Sequence, residues 1–295
     1  MLTKMAAIKP KRELLMPAKK FEINEAQEMG FCAGVKQAIK KAEDSCQKYG
    51  QVQMLGDIVH NENVVQDLNN KGVIVVASLE DADTSIPLLF RAHGTPAGIW
   101  QKAQRMGFEI IDATCPLVKD IHDKARLLEN EDRQVFIIGD HGHDEVEGIA
   151  SQIENPVVIS ESDDIPNKKI AKAGVVVQST QDISDVQKII DHLITIVDDL
   201  RIFNTICAPT RNRQQAVKQL SQKNDLVIII GSFTSANTTR LAQVARTINP
   251  NTKQVEGADD LKPNWFKNIK SVGISAGAST PDNIINEVKR KITSF

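Results

Sequence analysis

The sequence has no apolar run approaching the ~20 consecutive residues that a membrane-spanning helix needs. Charge of one sign is also missing. Thirty-six Lys and Arg against 38 Asp and Glu leave a formal charge of −2, so no global basic field exists to attract nucleic acid or an anionic membrane. Aromatic residues make up only 4% of the chain, too few for the stacking platforms that hold single strands. The first twenty residues are basic (Lys4, Lys9, Lys11, Arg12, Lys19, Lys20) but contain no apolar core. They make a poor secretion signal and read as a disordered, solvated extension, with a transit-like role as the alternative. Cysteine is sparse as well: Cys32, Cys46, Cys115 and Cys207. An even count permits two disulfides. A long chain without a secretion signal or a dense cysteine framework fits reduced thiols in the cytoplasm better, where scattered cysteines bind metals, catalyse or are simply buried.

What is present is a repeat. Short β-branched runs, Val135–Ile138, Val175–Val177, Leu226–Ile230 and Ser271–Ile274, read as buried parallel strands. Amphipathic segments between them, such as Val35–Gln47, Leu117–Glu129 and Gln214–Gln222, read as crossover helices of an α/β protein. Three stretches share one order of strand, Cys and helix, and 24 residues separate Cys32 from Gly56, Cys115 from Gly139 and Cys207 from Gly231. Each of these glycines ends an apolar strand. The spacing predicts a triplicated unit of about 90 residues, with domains at 21–114, 115–206 and 207–295 after the extension 1–20.

The register carries chemistry. Four residues after each Gly stand His60, His143 and Ser235; six after stand Glu62, Glu145 and Asn237. Later loops bring His93, Ser179 with Thr180, and Ser279. In parallel α/β sheets, ligands bind beyond the carboxyl ends of strands, so three units about a pseudo-three-fold axis would aim these residues at one point. A three-thiolate cradle suits zinc, copper(I) or an iron–sulfur cluster. A cubane cluster usually takes four Cys and structural zinc wants a fourth ligand; buried apolar thiols are the remaining reading. Cys46 has no partner in the repeat and reads as a plain helix residue. The His, Ser and Asn side chains near helix N-termini suit a phosphate or diphosphate. The loops lack both a Walker pattern and a GxGxxG, which speaks against nucleotides. Glu145 is a candidate general acid, since a carboxyl in a closed site can hold its proton near neutral pH. Alternatively Asp144, Glu145 and Glu147 are helix N-terminal carboxylates favoured by the dipole. His143-Asp144-Glu145 matches the HxE of zinc deaminases, but the PCxxC those enzymes need is missing.

In order, MGFCAGV, RAHGTP, DATCPLV, GHDEVEG, QST, TIC, TSANTTR and AGASTPD resemble the motifs of the 4-hydroxy-3-methylbut-2-enyl diphosphate reductase family, from about Phe21 to the C-terminus. The resemblance implies a cloverleaf of three α/β domains around a central [4Fe–4S] cluster. It implies reductive removal of an allylic hydroxyl to give isopentenyl and dimethylallyl diphosphate, the last step of the non-mevalonate isoprenoid route. The electrons would come from reduced ferredoxin or flavodoxin. It further implies that Cys32, Cys115 and Cys207 bind the cluster and leave one iron open to substrate. Glu145 would deliver a proton with His143 beside it, and Ser179, supported by Thr180, would bond the substrate hydroxyl. His60, His93, His143, Ser235, Ala236, Asn237 and Ser279 would line the diphosphate subsite. The chain departs from the family at Ser179, where Thr is usual, at Ala236 (Ser), at Met29 (Arg), at Asp144 (Pro) and in its basic extension. A non-catalytic iron–sulfur sensor or electron carrier would not need Glu145 or the His/Ser/Asn cradle. A zinc hydrolase would need ligands that the sequence lacks.

Overall fold

The structure, a computed structural model, describes residues 21–295; the extension 1–20 lies outside the described residues. The first unit runs through β1 (Glu22–Glu25), α1 (Ala33–Tyr49), β2 (Val52–Leu55), α2 (Glu62–Asn69), β3 (Val73–Val76), β4 (Leu88–Phe90), α3 (Ala97–Met106) and β5 (Ile110–Asp112). The second contains α4 (Pro116–Asn130), β6 (Gln134–Ile138), α5 (Asp144–Ala150), β7 (Val157–Ile159), β8 (Ile170–Val177), α6 (Ile183–Ile196) and β9 (Val197–Ile202). The third contains α7 (Ala208–Lys223), β10 (Leu226–Ile230), α8 (Ala236–Ile248), β11 (Thr252–Val255), β12 (Ser271–Ala276) and α9 (Asp282–Thr293).

These elements form three four-stranded parallel sheets, ordered β3-β2-β4-β5, β7-β6-β8-β9 and β11-β10-β12-β1. The inner strand of the third sheet is apolar throughout, as befits a strand covered on both faces: every residue of β10 is fully buried. The predicted helices and strands all form, with no end more than six residues from the one expected.

The sheets correct one boundary. The division at residue 21 places the first strand in the first unit, but β1 pairs with β12, with Glu22 opposite Ser271 and Glu25 opposite Ile274. Backbone bonds from Glu22 N to Lys270 O (2.8 Å) and from Ala26 N to Ile274 O (2.9 Å) extend the pairing. The physical reason is cyclic closure. In the first two sheets the outer strand, β5 or β9, is the one that leads into the next cysteine. In the third sheet the strand leading into Cys32 takes that place and closes the ring of three units.

Helix packing is close at the sheet faces. A Cβ on Gly174 of β8 would fall 2.5 Å from Leu128 Cδ2 and 2.7 Å from Cδ1, on the fully buried side chain of α4. Gly174→Ala should therefore destabilise the chain by roughly 1–3 kcal/mol through overpacking, read as a lower denaturant midpoint; an unchanged midpoint would contradict this packing.

Candidate active site

The three units meet at the starts of α1, α4 and α7. Cys32, Cys115 and Cys207 are the N-cap residues of these helices. Their backbone N–H groups donate to Ala278 O (3.1 Å), Ala92 O (3.0 Å) and Ser179 O (3.1 Å). Each acceptor belongs to the loop after β12, β4 or β8, a strand of the preceding unit. Cys32 Sγ accepts from Val35 N and Cys207 Sγ from Thr210 N, both at 3.4 Å, so these thiols act as weak helix caps. Cys115, followed by Pro116, has no such bond.

The thiols converge. A Cβ added at Gly34 would stand 2.6 Å from Cys115 Sγ and 3.9 Å from Cys32 Sγ, so only glycine leaves that space to sulfur. Burial pushes the thiols of Cys115 and Cys207 up, and the nearby Cys32 thiol adds to both. Three thiols in a shared pocket, with those of Cys115 and Cys207 resisting ionisation, form a donor set that a soft cation would stabilise by binding the thiolates. This is the chemistry of an iron–sulfur or zinc ligand set, and the residues fit it. Cys46 lies apart, buried in the core between α1 and the first sheet.

Cys32, Cys115, Cys207, Glu145, Ser179, Thr180 and the His, Ser, Ala and Asn residues expected at the diphosphate subsite line one cavity, while Glu62 does not. One wall of the cavity is a cluster of imidazoles. His60 and His93 stack with ring centroids 4.6 Å apart, and His143 meets them edge-on at 5.7 and 5.9 Å. Burial pushes His93 and His143 below the usual imidazole range, and the neighbouring rings add to this. His143 Nδ1 accepts from Glu145 N at 3.1 Å, which leaves Nε2 to carry the proton of the neutral ring. His93 Nδ1 is buried with no partner among the described residues.

The third unit supplies the opposite wall. Ser235 caps α8, its Oγ accepting from Thr238 N at 3.4 Å, and Ala236 and Asn237 open the helix. Asn237 Oδ1 accepts from Ala278 N (2.9 Å) and its Nδ2 faces Thr210 Oγ1 (3.5 Å). Ser279 Oγ donates to His60 O at 3.3 Å, tying the two walls together. Thr210 was not among the residues expected at the site. It is buried, lines the cavity and lies 3.1 Å from Cys207 Sγ through its hydroxyl. Its place three residues after a capping cysteine is the sequence signal for it.

Glu145 is buried in the second unit, at the start of α5. Its carboxylate accepts from Ser179 N (2.6 Å) and Ser179 Oγ (2.8 Å). Burial raises its pKa to about 6, against a partial lowering by those two bonds. Thr180, next in the chain, also lines the cavity. Glu62 occupies the same repeat position as Glu145 but accepts a bond from Ser232 Oγ at 3.2 Å, a contact between units. The arrangement therefore places one proton-holding carboxyl between three thiols and an imidazole–serine–asparagine wall.

The chain matches the LytB protein family over residues 23–293. It belongs to that family. Among its LytB relatives, the 4-hydroxy-3-methylbut-2-enyl diphosphate reductase of Geobacter sulfurreducens is 38% identical over 278 residues, 93% of this chain and 98% of the relative. That of Aquifex aeolicus is 38% identical over 275 residues, 90% and 94% of the two chains. Two solved structures share the fold. The E-1-hydroxy-2-methyl-but-2-enyl-4-diphosphate reductase from Plasmodium falciparum superposes with a TM-score of 0.85 at 26% identity, covering 92% of this chain and 87% of that one. An (E)-4-hydroxy-3-methyl-but-2-enyl diphosphate reductase described as the terminal enzyme of the non-mevalonate pathway gives 0.67 at 36%, covering 93% and 100%.

The raised pKa of Glu145 has a consequence for stability. The folded chain holds this proton more tightly than the unfolded chain, whose carboxyl titrates near the ordinary 4.5. The charge of Glu145 thus adds no cost below about pH 4.5, and the full cost of that charge is reached above about pH 6. Removing the charge with Glu145→Gln should raise the stability of the metal-free chain by about 2 kcal/mol more at pH 8 than at pH 4. Denaturant unfolding at both pH values measures this, and an equal effect at the two would contradict it.

Proposed function

We propose that the chain is an iron–sulfur reductase of (E)-4-hydroxy-3-methylbut-2-enyl diphosphate. The reaction takes two electrons and two protons, breaks the allylic C–O bond, releases water and yields isopentenyl and dimethylallyl diphosphate. The observation that carries this reading is Glu145: a buried carboxyl with a pKa of about 6, bonded by Ser179 and set in the same cavity as three thiols and an anion cradle. The names of the LytB relatives support it.

Cys32, Cys115 and Cys207 would hold the cluster, of [4Fe–4S] type with one iron lacking a protein ligand. When bound, this group supplies the electrons and a Lewis-acidic site for the substrate hydroxyl. The remaining work falls to the chain. His60, His93, His143, Ser235, Asn237 and Ser279 donate to the diphosphate, and Ala236 offers its backbone N–H at the start of α8. Ser179 Oγ bonds the hydroxyl, supported by Thr180, and Glu145 delivers the proton that turns this hydroxyl into water. Loss of the Thr methyl at Ser179 and of a Ser hydroxyl at Ala236 alters the fit of the pocket without removing the acid.

The electrons come from reduced ferredoxin or flavodoxin in the cytoplasm. Among the described residues no helix is long and apolar enough to cross a membrane. A sensor or electron carrier would have no use for a buried acid facing an anion cradle. A zinc hydrolase fits poorly, because His143 Nδ1 and both Glu145 oxygens are already engaged by the chain.

Anaerobic incubation with the allylic diphosphate and an artificial one-electron donor should give both isomeric products. Glu145→Gln should keep the visible absorption of the cluster and lower turnover about 100-fold or more. No product from a cluster-loaded chain would defeat the assignment, and undiminished turnover would remove Glu145 from it.

A further inference from the structure

A carboxylate stands where an anion cradle should exclude one. Asp144, the first residue of α5, places Oδ2 3.5 Å from His60 Nε2. One oxygen of Asp144 and one ring nitrogen each of His60 and His93 all lie within 4.8 Å of one another. A bare negative charge beside these imidazoles would repel a diphosphate.

Two imidazoles and a carboxylate also make a divalent-cation donor set, but Asp144 is already occupied. Its Oδ1 accepts from Arg91 Nη2 at 2.7 Å and its Oδ2 from Arg91 Nη1 at 2.8 Å. This is a bidentate fork, the strongest geometry an arginine offers a carboxylate. A metal ion would have to displace that guanidinium or share its charge. The fork is itself seated: a Cβ on Gly56, whose φ is +68°, would fall 2.9 Å from Arg91 Nη1. Both side chains are mostly buried, 20% and 28% exposed, so solvent screens the pair less than a surface ion pair. The contact runs from the end of β4 in the first unit to α5 in the second. Polar contacts also cross the other two junctions, from Arg240 Nη2 to Asp140 Oδ1 (2.6 Å) and from Ser232 Oγ to Glu62 Oε1 (3.2 Å).

We propose that Arg91 is a positioning residue of the anion cradle. It cancels the charge of Asp144 and holds that carboxylate against His60, so that an entering diphosphate meets imidazoles and helix N–H groups without a bare anion among them. The role rests on the diphosphate reading of the cavity given above.

The test is the dissociation constant of inorganic diphosphate for the full cluster-loaded chain, measured by anaerobic calorimetry. Arg91→Gln should weaken binding at least tenfold, because Asp144 is then bare. The double variant Arg91→Gln, Asp144→Asn should recover to within threefold of the parent, which a merely structural arginine would not allow. Asp144→Asn alone should bind diphosphate as tightly as the parent or tighter, and this holds the test open should Arg91→Gln fail to fold. In turnover the loss should appear in KM, with kcat within threefold. Unchanged binding by Arg91→Gln, a double variant as weak as the single, or a tenfold loss in Asp144→Asn would each overturn the role. A parent that binds no diphosphate would instead overturn the reading of the cavity, and the role of Arg91 with it.

Discussion

Three backbone hydrogen bonds fix the centre of this molecule: Cys32 N to Ala278 O, Cys115 N to Ala92 O and Cys207 N to Ser179 O, at 3.0–3.1 Å. Each joins the start of one unit to a strand-end loop of the unit before it. Together they set the three cysteines at three helix N-caps facing one space. Because the donors and acceptors are main-chain groups, the units can diverge in side chain without losing the geometry. The closing strand β1 completes the same logic at the outer edge, where it supplies to the third sheet the strand that β5 and β9 supply to the others.

From that convergence the electrostatics follow. The cavity is lined by helix starts, whose free N–H groups favour anions, yet five of its titratable groups are held back from charge. His93 and His143 are pushed toward neutrality, Glu145 toward its protonated form and the Cys115 and Cys207 thiols likewise. Burial is the first cause in every case. A site whose buried groups resist both signs of charge gains most when a cationic cofactor and an anionic substrate enter together, since each then compensates groups that water no longer reaches. The Asp144–Arg91 pair fits the same rule: a charge admitted near the cradle arrives with its neutraliser.

The repeat could be read in the sequence because geometry enforces it. A helix from the central cysteine out and a strand back require a nearly fixed number of residues, hence the equal spacing of Cys32, Cys115 and Cys207 to their glycines. The lining residues were readable for the same reason, since position after the strand-end glycine decides which side chains reach the cavity. The sheet membership of β1 was hidden, because a four-residue strand carries no mark of a partner some 250 residues away. Asp144 was read as a helix N-terminal carboxylate, and it is the first residue of α5. Its pairing with Arg91, 53 residues earlier, depends on two units meeting, which no local pattern encodes. Glu62 shows the limit from the other side: it shares the register of Glu145, but its neighbour is a serine at a unit junction.

The central claim, that three thiols converge on a single iron–sulfur centre with one open corner, is tested most directly by Mössbauer spectroscopy with iron and sulfide analysis of the anaerobically purified chain. The account predicts about four irons and four sulfides per chain, with one iron site distinct from the other three. A colourless chain that binds one zinc through the same thiols and takes up no iron would contradict it.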